Sequence, residues 1–409
     1  MEPSHIVVDN TMETRLSMPV RGRFVPENLQ ICTKTVMDNT DPDISFDRDG
    51  VSNWWHGYQT ILENRSTEED RGQQLKDALR KIKEAGSDKT YDCILGLSGG
   101  VDSSYMAYLA KQWGLRPLVV HFDNGWDDEL AVGNIEIIVK KLRLPLHTFV
   151  MNWPEFRDLQ RAYFKASVLD LDVPADHMIF GALHKTAYEY KIPYVLSGNN
   201  LATEWLLPRA WYYSKFDLVN LTAIHRRFGE IPMKHLPKLG VWQRLYYQRV
   251  KLIQDLKVLE LVPYKKTEAK RFLIDEFSWR DYGGKHYESV FTRFYQGYIL
   301  PTKYGIDKRK AHLSNLICNG EITRSEAFEE LSKPTDDPGR QRADKRYVAK
   351  KLGWSEAELD DVLALPTRAH EEFGTDALQS RLADLTMKYC QPFAKVGRAI
   401  WNWDYSGRR

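Results

Sequence analysis

Short apolar runs and helix-period segments alternate along the second quarter of the chain. YDCILGL (91–97) is a compact apolar run that predicts a buried strand. It is followed by the polar SGGVDSS, and then by Tyr105, Met106, Leu109, Ala110 and Trp113 at helical spacing. PLVVHF (117–122) is the next predicted strand, and Asp127 to Leu142 the next helix, with Leu130, Ile135, Ile138 and Leu142 on one face. LHTFV (146–150), a helix from His177 to Tyr190, and YVLS (194–197) continue the alternation. Strands alternating with helices predict a doubly wound parallel sheet, whose ligands bind at the carboxyl ends of the strands.

The flanks differ. Residues 1 to 30 show no period and predict a loose extension. Residues 31–58 are rich in turn chemistry (DPD, DRDG), and 59–86 predict a charged helix. After about residue 205 the strand signal fades into aromatic, basic helical stretches. GKHYESVFTRFYQGY (284–298) places Tyr287, Phe291, Phe294 and Tyr298 on one helix face. Residues 342–363 predict two short helices, the second capped by Ser355 with Glu358 completing a capping box. The resulting division is an extension (1–30), a small module with a helix (31–85), the α/β domain (86–265) and a helical C-terminal region (266–409).

Composition narrows the partners. With 58 Lys+Arg against 56 Asp+Glu the net charge is +2, which argues against a dedicated nucleic-acid binder. The four cysteines, Cys32, Cys93, Cys318 and Cys390, are far apart, so a disulfide framework is not expected. No apolar run is long enough to span a bilayer, and the N-terminus lacks a signal-peptide pattern. A cytoplasmic protein with no membrane partner is the expectation.

The segment Ser98-Gly99-Gly100-Val101-Asp102-Ser103 leaves a predicted strand and enters a predicted helix. Its glycines let backbone amides approach an anion, its hydroxyls add donors, and the helix N-terminus adds positive charge. It is built to hold phosphate oxygens, and it is neither a Walker A loop nor a GxGxxG fingerprint. SGGxDS in this context resembles the pyrophosphate loop of the ATP pyrophosphatases, which share the adenine nucleotide alpha hydrolase-like fold and split ATP between the α and β phosphates. GMP synthetase, NAD synthetase and tRNA-thiolating enzymes have this loop. The resemblance implies ATP bound by Ser98 to Ser103, with Asp102 catalytic and helping to bind Mg²⁺. It places adenine at the backbone of Phe122 and the ribose near Asp123. It also implies close packing of the nucleotide at Gly198 and Asn199.

Several segments narrow the resemblance: CTKTVMDNTDPDISFDRDGV, HFDNGWDDELAVGNIE, DHMIFGALHKTA, SGNNLATE, GGKHYESVFTRFYQGYILPTKYGIDKRKAHLSNLICNGEITRSEA and RADKRYVAKKLG. Together they resemble the N-acetyl sugar amidotransferases of bacterial surface-polysaccharide synthesis, over roughly residues 31–370. That resemblance implies conversion of an acetamido group to an acetamidino group on a nucleotide sugar, as in O-antigen of lipopolysaccharide, or on a nonulosonic acid. Lys285 and Arg293 are then expected to act on the triphosphate or the sugar, with Lys303, Lys308 and Arg309 as second candidates. Asp176, His177, Asn200 and Glu204 are the expected substrate contacts. No residue set fits a glutaminase, so ammonia is expected from a separate partner, which the resemblance implies is glutaminase/cyclase-like.

The family pattern opens with two CxxC pairs, a zinc signature. Here those positions are Cys32, Thr35, Ser52 and Trp55, so a zinc-ribbon-like module without zinc is expected, with Trp54 and Trp55 filling its core. Two other readings stand beside this one. A tRNA-thiolating enzyme has the same loop but typically pairs cysteines to carry sulfur. A non-catalytic assembly protein would have lost its zinc ligands through decay, yet the intact SGGVDSS argues against that.

Overall fold

The computed structural model describes residues 28–284 and 287–389, so residues 1–27 of the predicted extension (1–30), Lys285 and Cys390 lie outside the described residues. Five parallel strands form one sheet: β1 (Cys93–Gly96), β2 (Pro117–Asp123), β3 (Leu146–Val150), β4 (Tyr194–Leu196) and β5 (Gln254–Leu256), in the order β3-β2-β1-β4-β5. The four expected strands are present, and β5 is a fifth that no apolar run announced.

Each inner strand is buried on both faces. Cys93 and Leu95 of β1 pack with the helices Val101–Gln112, Glu129–Leu142 and Lys266–Phe277. Ile94 packs on the opposite side, beneath Val173–Glu189 and Val241–Arg249. Helices on both faces explain why the strands read as continuous apolar runs rather than alternating ones. The chain builds β1, β2 and β3 outward, then returns to place β4 on the other side of β1. The strand order therefore reverses between β1 and β4, and their carboxyl ends frame a crevice.

A larger apolar cluster lies beside the sheet. It joins Phe156, Leu159 and Tyr163 of helix Trp153–Ala166 to Phe291, Phe294, Val348 and Leu352 of the C-terminal helices. The two late helices are Pro338–Leu352 and Glu356–Leu363, the latter opened by the Ser355–Glu358 capping box. The expected single helix over 284–298 is broken. Val290–Phe294 is α-helical, but Tyr295–Tyr304 winds more widely as a π-helix containing Pro301. Proline has no N–H to continue the i to i−4 ladder, so the winding changes there. Phe294 and Tyr298 still stack, with centroids 5.2 Å apart, while Tyr287 lies ahead of the helix. The charged helix expected over 59–86 is likewise two helices, Asn53–Asn64 and Glu68–Ala85.

The N-terminal module keeps a knuckle without a set of metal ligands. Short antiparallel bridges join Ile31 to Asp38 and Phe46 to Ser52. The Cys32 sulfur accepts from the backbone N–H groups of Lys34 (3.4 Å) and Ser52 (3.3 Å). Ser52 Oγ accepts from Trp55 N, so the second CxxC spacing here serves as a helix N-cap. Trp54 sits edge-on to Trp205 and donates to Asp41 (2.7 Å). Among the described residues no group of three or more His, Cys, Asp or Glu is placed to hold a metal ion. The module is tied to the C-terminal region by Arg324, which donates to the carbonyls of Cys32 and Thr35 (2.9 Å each).

Candidate active site

The phosphate loop leaves β1 and caps helix Val101–Gln112. Ser98 Oγ lies 3.2 Å from Ser103 Oγ and accepts from Gly100 N (3.3 Å), which folds the loop into a hydroxyl-lined turn. Gly99 has φ of 82°, and a Cβ there would lie 2.4 Å from the Ala131 carbonyl oxygen. Only glycine satisfies both conditions. The helix starts at Gly100 without a side-chain cap, whereas Asp128, Asn152 and Asp307 cap the helices they precede. Its first N–H groups are left for a ligand, at the end of the helix that favours an anion.

The β4 end closes the crevice. A Cβ on Gly198 would lie 3.5 Å from the Asp102 backbone, so β1 and β4 meet there. Asn199 N donates to Ser197 Oγ (3.2 Å). Asn200 caps the short helix Leu201–Glu204 through Thr203 N, and its amide donates to the Gly198 carbonyl (3.0 Å). Asn200 thus lies beside the Gly198 end of the crevice, and Glu204 ends the short helix that it caps. At the β2 end, Phe122 stacks on Phe149 (5.8 Å), and Asp123 accepts from Gly125 N (2.9 Å) to form the turn. Val101 is buried behind the loop.

Side chains from far along the sequence complete the loop's surroundings. Tyr264 donates its hydroxyl to Asp102. Burial, then the Asp102 charge, push the Tyr264 hydroxyl far above the usual tyrosine range, so it remains a donor. Trp279 Nε1 donates to the Gly99 carbonyl (3.1 Å). His121 spans the Leu97 carbonyl (3.2 Å) and the Asp127 carboxylate (3.1 Å). Burial pulls its imidazole down, but the bond and charge of Asp127 outweigh this and hold it above the usual histidine range. None of these had a sequence signal beyond residue type, because their partners lie on other segments.

Magnesium fits this arrangement in one way. Mg²⁺ is commonly held by one or two carboxylates together with substrate phosphates and water. Asp102 offers a carboxylate oriented by Tyr264 at the mouth of the phosphate loop, and would hold the ion jointly with the triphosphate.

Other expected residues are placed elsewhere. Arg293 is buried, with its guanidinium on Asp344 (2.7 and 3.0 Å) and Asp128 (2.9 Å). It ties the C-terminal helices to the start of helix Glu129–Leu142, a structural role in place of the expected phosphate contact. His177 is also a correction: Nδ1 donates to the Lys215 carbonyl (2.8 Å) and Nε2 accepts from Leu239 N (3.1 Å). Burial lowers its pKa to about 4, so it is a neutral core histidine with no atom left for a sugar. Asp176 pairs with Lys215 (3.1 Å), which also pairs with the buried Asp170 (2.7 Å). Lys303 is buried on Ser167 (2.7 Å), and burial lowers its amine to about 8. Lys308 lies over the Tyr295 ring, 5.7 Å from its centroid, and Arg309 is bound to Asp307.

Residues 288–386, the stretch carrying Arg293 and Asp344, match the family described as LPS biosynthesis protein WbpG-like, C-terminal domain. Over that stretch the chain is similar to the WbpG-like C-terminal domain. That domain supplies the π-helix and the Arg293 pair, and it packs on the α/β domain rather than standing apart. A curated relative, the tRNA-specific 2-thiouridylase MnmA of Clostridioides difficile, is 23% identical over 242 residues. The match covers 52% of this chain and spans only 63% of the relative's length. Among solved structures, an NH3-dependent NAD synthetase from Campylobacter jejuni aligns at TM-score 0.31 and 14% identity, over 71% of this chain and 98% of its own. The U34-tRNA thiolase NcsA of Methanococcus maripaludis aligns at 0.30 and 14%, over 68% and 80%. The fold itself is evident from the parallel strand order and the loop beside the WbpG-like domain. No helix among the described residues is long and apolar enough to cross a membrane.

Proposed function

We propose that this chain is an ATP-dependent amidotransferase of lipopolysaccharide biosynthesis that turns the acetamido group of an N-acetyl sugar into an acetamidino group. The observation that carries the reading is the phosphate loop at the β1–β4 crevice in the same chain as a WbpG-like domain. The amide oxygen attacks the α-phosphorus of ATP, the α–β bridging bond breaks, and pyrophosphate leaves. The amide N–H proton is released as the imidate forms; ammonia then adds to the imidate carbon, the carbon–oxygen bond breaks with AMP as leaving group, and the three hydrogens of ammonia become the N–H hydrogens of the amidinium product. The chain's own residues bind and orient. Loop amides and the hydroxyls of Ser98 and Ser103 hold phosphate oxygens, and Asp102, aligned by Tyr264, holds Mg²⁺ against them. Magnesium supplies charge neutralisation on the leaving pyrophosphate. Ammonia comes from a separate glutaminase/cyclase-like partner.

Two of the three described cysteines favour this reading over tRNA thiolation. Burial pushes the Cys93 thiol well up, and burial with the neighbouring Cys32 pushes Cys318 to about 12. A sulfur carrier needs a thiolate and therefore the opposite shift. Cys32 does shift that way: burial raises it, but hydrogen bonds with Ser52 and Thr35 and from the backbone N–H groups of Ser52 and Lys34 outweigh this and hold it below the usual thiol range. The test is pyrophosphate release from Mg-ATP with a panel of N-acetyl sugars and UDP-sugars, with ammonium at alkaline pH or with glutamine. A product with NH in place of oxygen, formed with ammonium and not with glutamine, is expected. Pyrophosphate release with no sugar at all, or sulfur transfer to tRNA, would overturn the assignment.

A further inference from the structure

Past helix Lys266–Phe277 the chain turns at Ser278 (φ 59°) and crosses the phosphate loop as Trp279–Gly284, a segment with neither helix nor strand. Three contacts pin it there. Trp279 Nε1 holds the Gly99 carbonyl (3.1 Å). The buried Asn134 side chain, on helix Glu129–Leu142, accepts from Arg280 N and donates to the Arg280 carbonyl, at 2.8 Å each. Lys270 pairs with Asp281. Gly283 (φ 92°) and Gly284 then lead toward the stretch that is WbpG-like from residue 288.

These pins bring Tyr282 to the loop. A Cβ on Gly100 would meet Ser98 Oγ at 3.2 Å and the Tyr282 hydroxyl oxygen at 3.3 Å. Both hydroxyls therefore converge on Gly100, where the loop turns into its helix. The Trp279 ring stands edge-on to the Tyr282 ring, with centroids 5.4 Å apart, which holds the phenol in its direction. Burial first, then the charges of Glu288, Asp102 and Asp281 and a hydrogen bond to Glu288, push the Tyr282 hydroxyl far above the usual tyrosine range, so it keeps its proton. That proton can turn about the C–O bond from Glu288 to another acceptor without any movement of the ring. A phosphate oxygen seated in the loop, beside Ser98, is such an acceptor.

We propose that Tyr282 adds a third hydroxyl to those of Ser98 and Ser103, donating to an oxygen of the β- or γ-phosphate, the part of ATP that leaves as pyrophosphate. The inference rests on the ATP reading of the loop and adds to it a binding residue from outside SGGVDSS. It also puts a phosphate contact just ahead of the Gly283–Gly284 joint. Bound ATP then holds the entrance of the WbpG-like stretch to the loop.

The test titrates the protein calorimetrically with magnesium pyrophosphate, with a non-hydrolysable ATP analogue and with AMP. Tyr282→Phe removes the hydroxyl and keeps the ring against Trp279. It is expected to weaken pyrophosphate and the ATP analogue by about tenfold, the scale of one hydrogen bond to a charged group. AMP has no β- or γ-phosphate and is expected to bind as it does to the parent. Gly100 has an ordinary φ of −73°, so Gly100→Ala strains no backbone while its methyl crowds both hydroxyls. It is expected to weaken pyrophosphate as well, and serves if Tyr282→Phe does not fold. The inference is overturned if the variant that folds binds pyrophosphate as the parent does, or if AMP weakens in step with pyrophosphate, the mark of a packing role. A parent protein that binds neither pyrophosphate nor the ATP analogue defeats the ATP reading itself, and the inference with it.

Discussion

The hydroxyl of Tyr264 donates to the carboxylate of Asp102 across 162 residues of chain. Asp102 lies in the first turn of the loop helix, and Tyr264 sits behind it in the core packed with Val101 and Leu273. The bond fixes which carboxylate oxygen remains for a cation. Without it, Asp102 has the rotamer freedom of an ordinary first-turn aspartate.

Tyr264→Phe is therefore expected to raise the magnesium concentration needed for half-maximal pyrophosphate release, with a loss of about 1 kcal/mol in stability from the missing hydrogen bond. Pyrophosphate release measured against magnesium at fixed ATP checks this. An unchanged magnesium curve would remove Tyr264 from the account.

Arg293→Met is expected to act on stability. It leaves Asp344 and Asp128 without their shared counter-ion at a site where the arginine side chain is 8% exposed. Breaking a buried pair of this kind costs about 3–5 kcal/mol. Urea unfolding gives the loss, and the affinity of the folded fraction for ATP is expected to stay near that of the parent. A selective loss of ATP affinity would restore the phosphate contact that the sequence suggested.

Acid is expected to weaken the fold through two core histidines. His177 and His370 are each lowered to about 4, chiefly by burial. Each has one ring nitrogen beside a carbonyl-type acceptor and the other accepting a backbone N–H: Lys215 O and Leu239 N for His177, Asn220 Oδ1 and Asp170 N for His370. That pattern admits only the neutral ring. The unfolded chain gains protons from about pH 6.5 downward, so this contribution is present above 6.5 and is lost as pH falls toward 4. The loss is about 3 kcal/mol per histidine. Unfolding midpoints at pH 7.5 and 4.5 measure it. His177→Gln, whose amide can make both bonds without titrating, is expected to show a shallower fall; an equal fall would show that other groups carry the acid sensitivity.

The same contrast shows what was legible in the sequence. Four strands, the phosphate loop and the Ser355 cap were readable because each is a local signal of apolar runs, glycines or cap chemistry. His177 looked like a site residue because it follows Asp176 near the strand ends, and sequence cannot show that both ring nitrogens are already used. His121 is the converse, held by two acceptors, and nothing in HFDNGW distinguishes the two cases. β5 was missed because QDL is short and polar at its start. The helix break at Tyr295 was missed because one proline inside an aromatic run was outweighed by the period around it.

A side chain at Gly99 would strike the Ala131 carbonyl, and three residues before Ala131 the helix cap Asp128 takes the Arg293 guanidinium from the WbpG-like domain. The consequence concerns exchange of parts. A C-terminal domain grafted from a relative must bring an arginine to Asp128 and an aspartate to that arginine, or the helix braced against the Ser98–Ser103 loop loses its anchor. Chimeras that cut near residue 288 would then be rescued by restoring those two side chains together, not by repairing the loop.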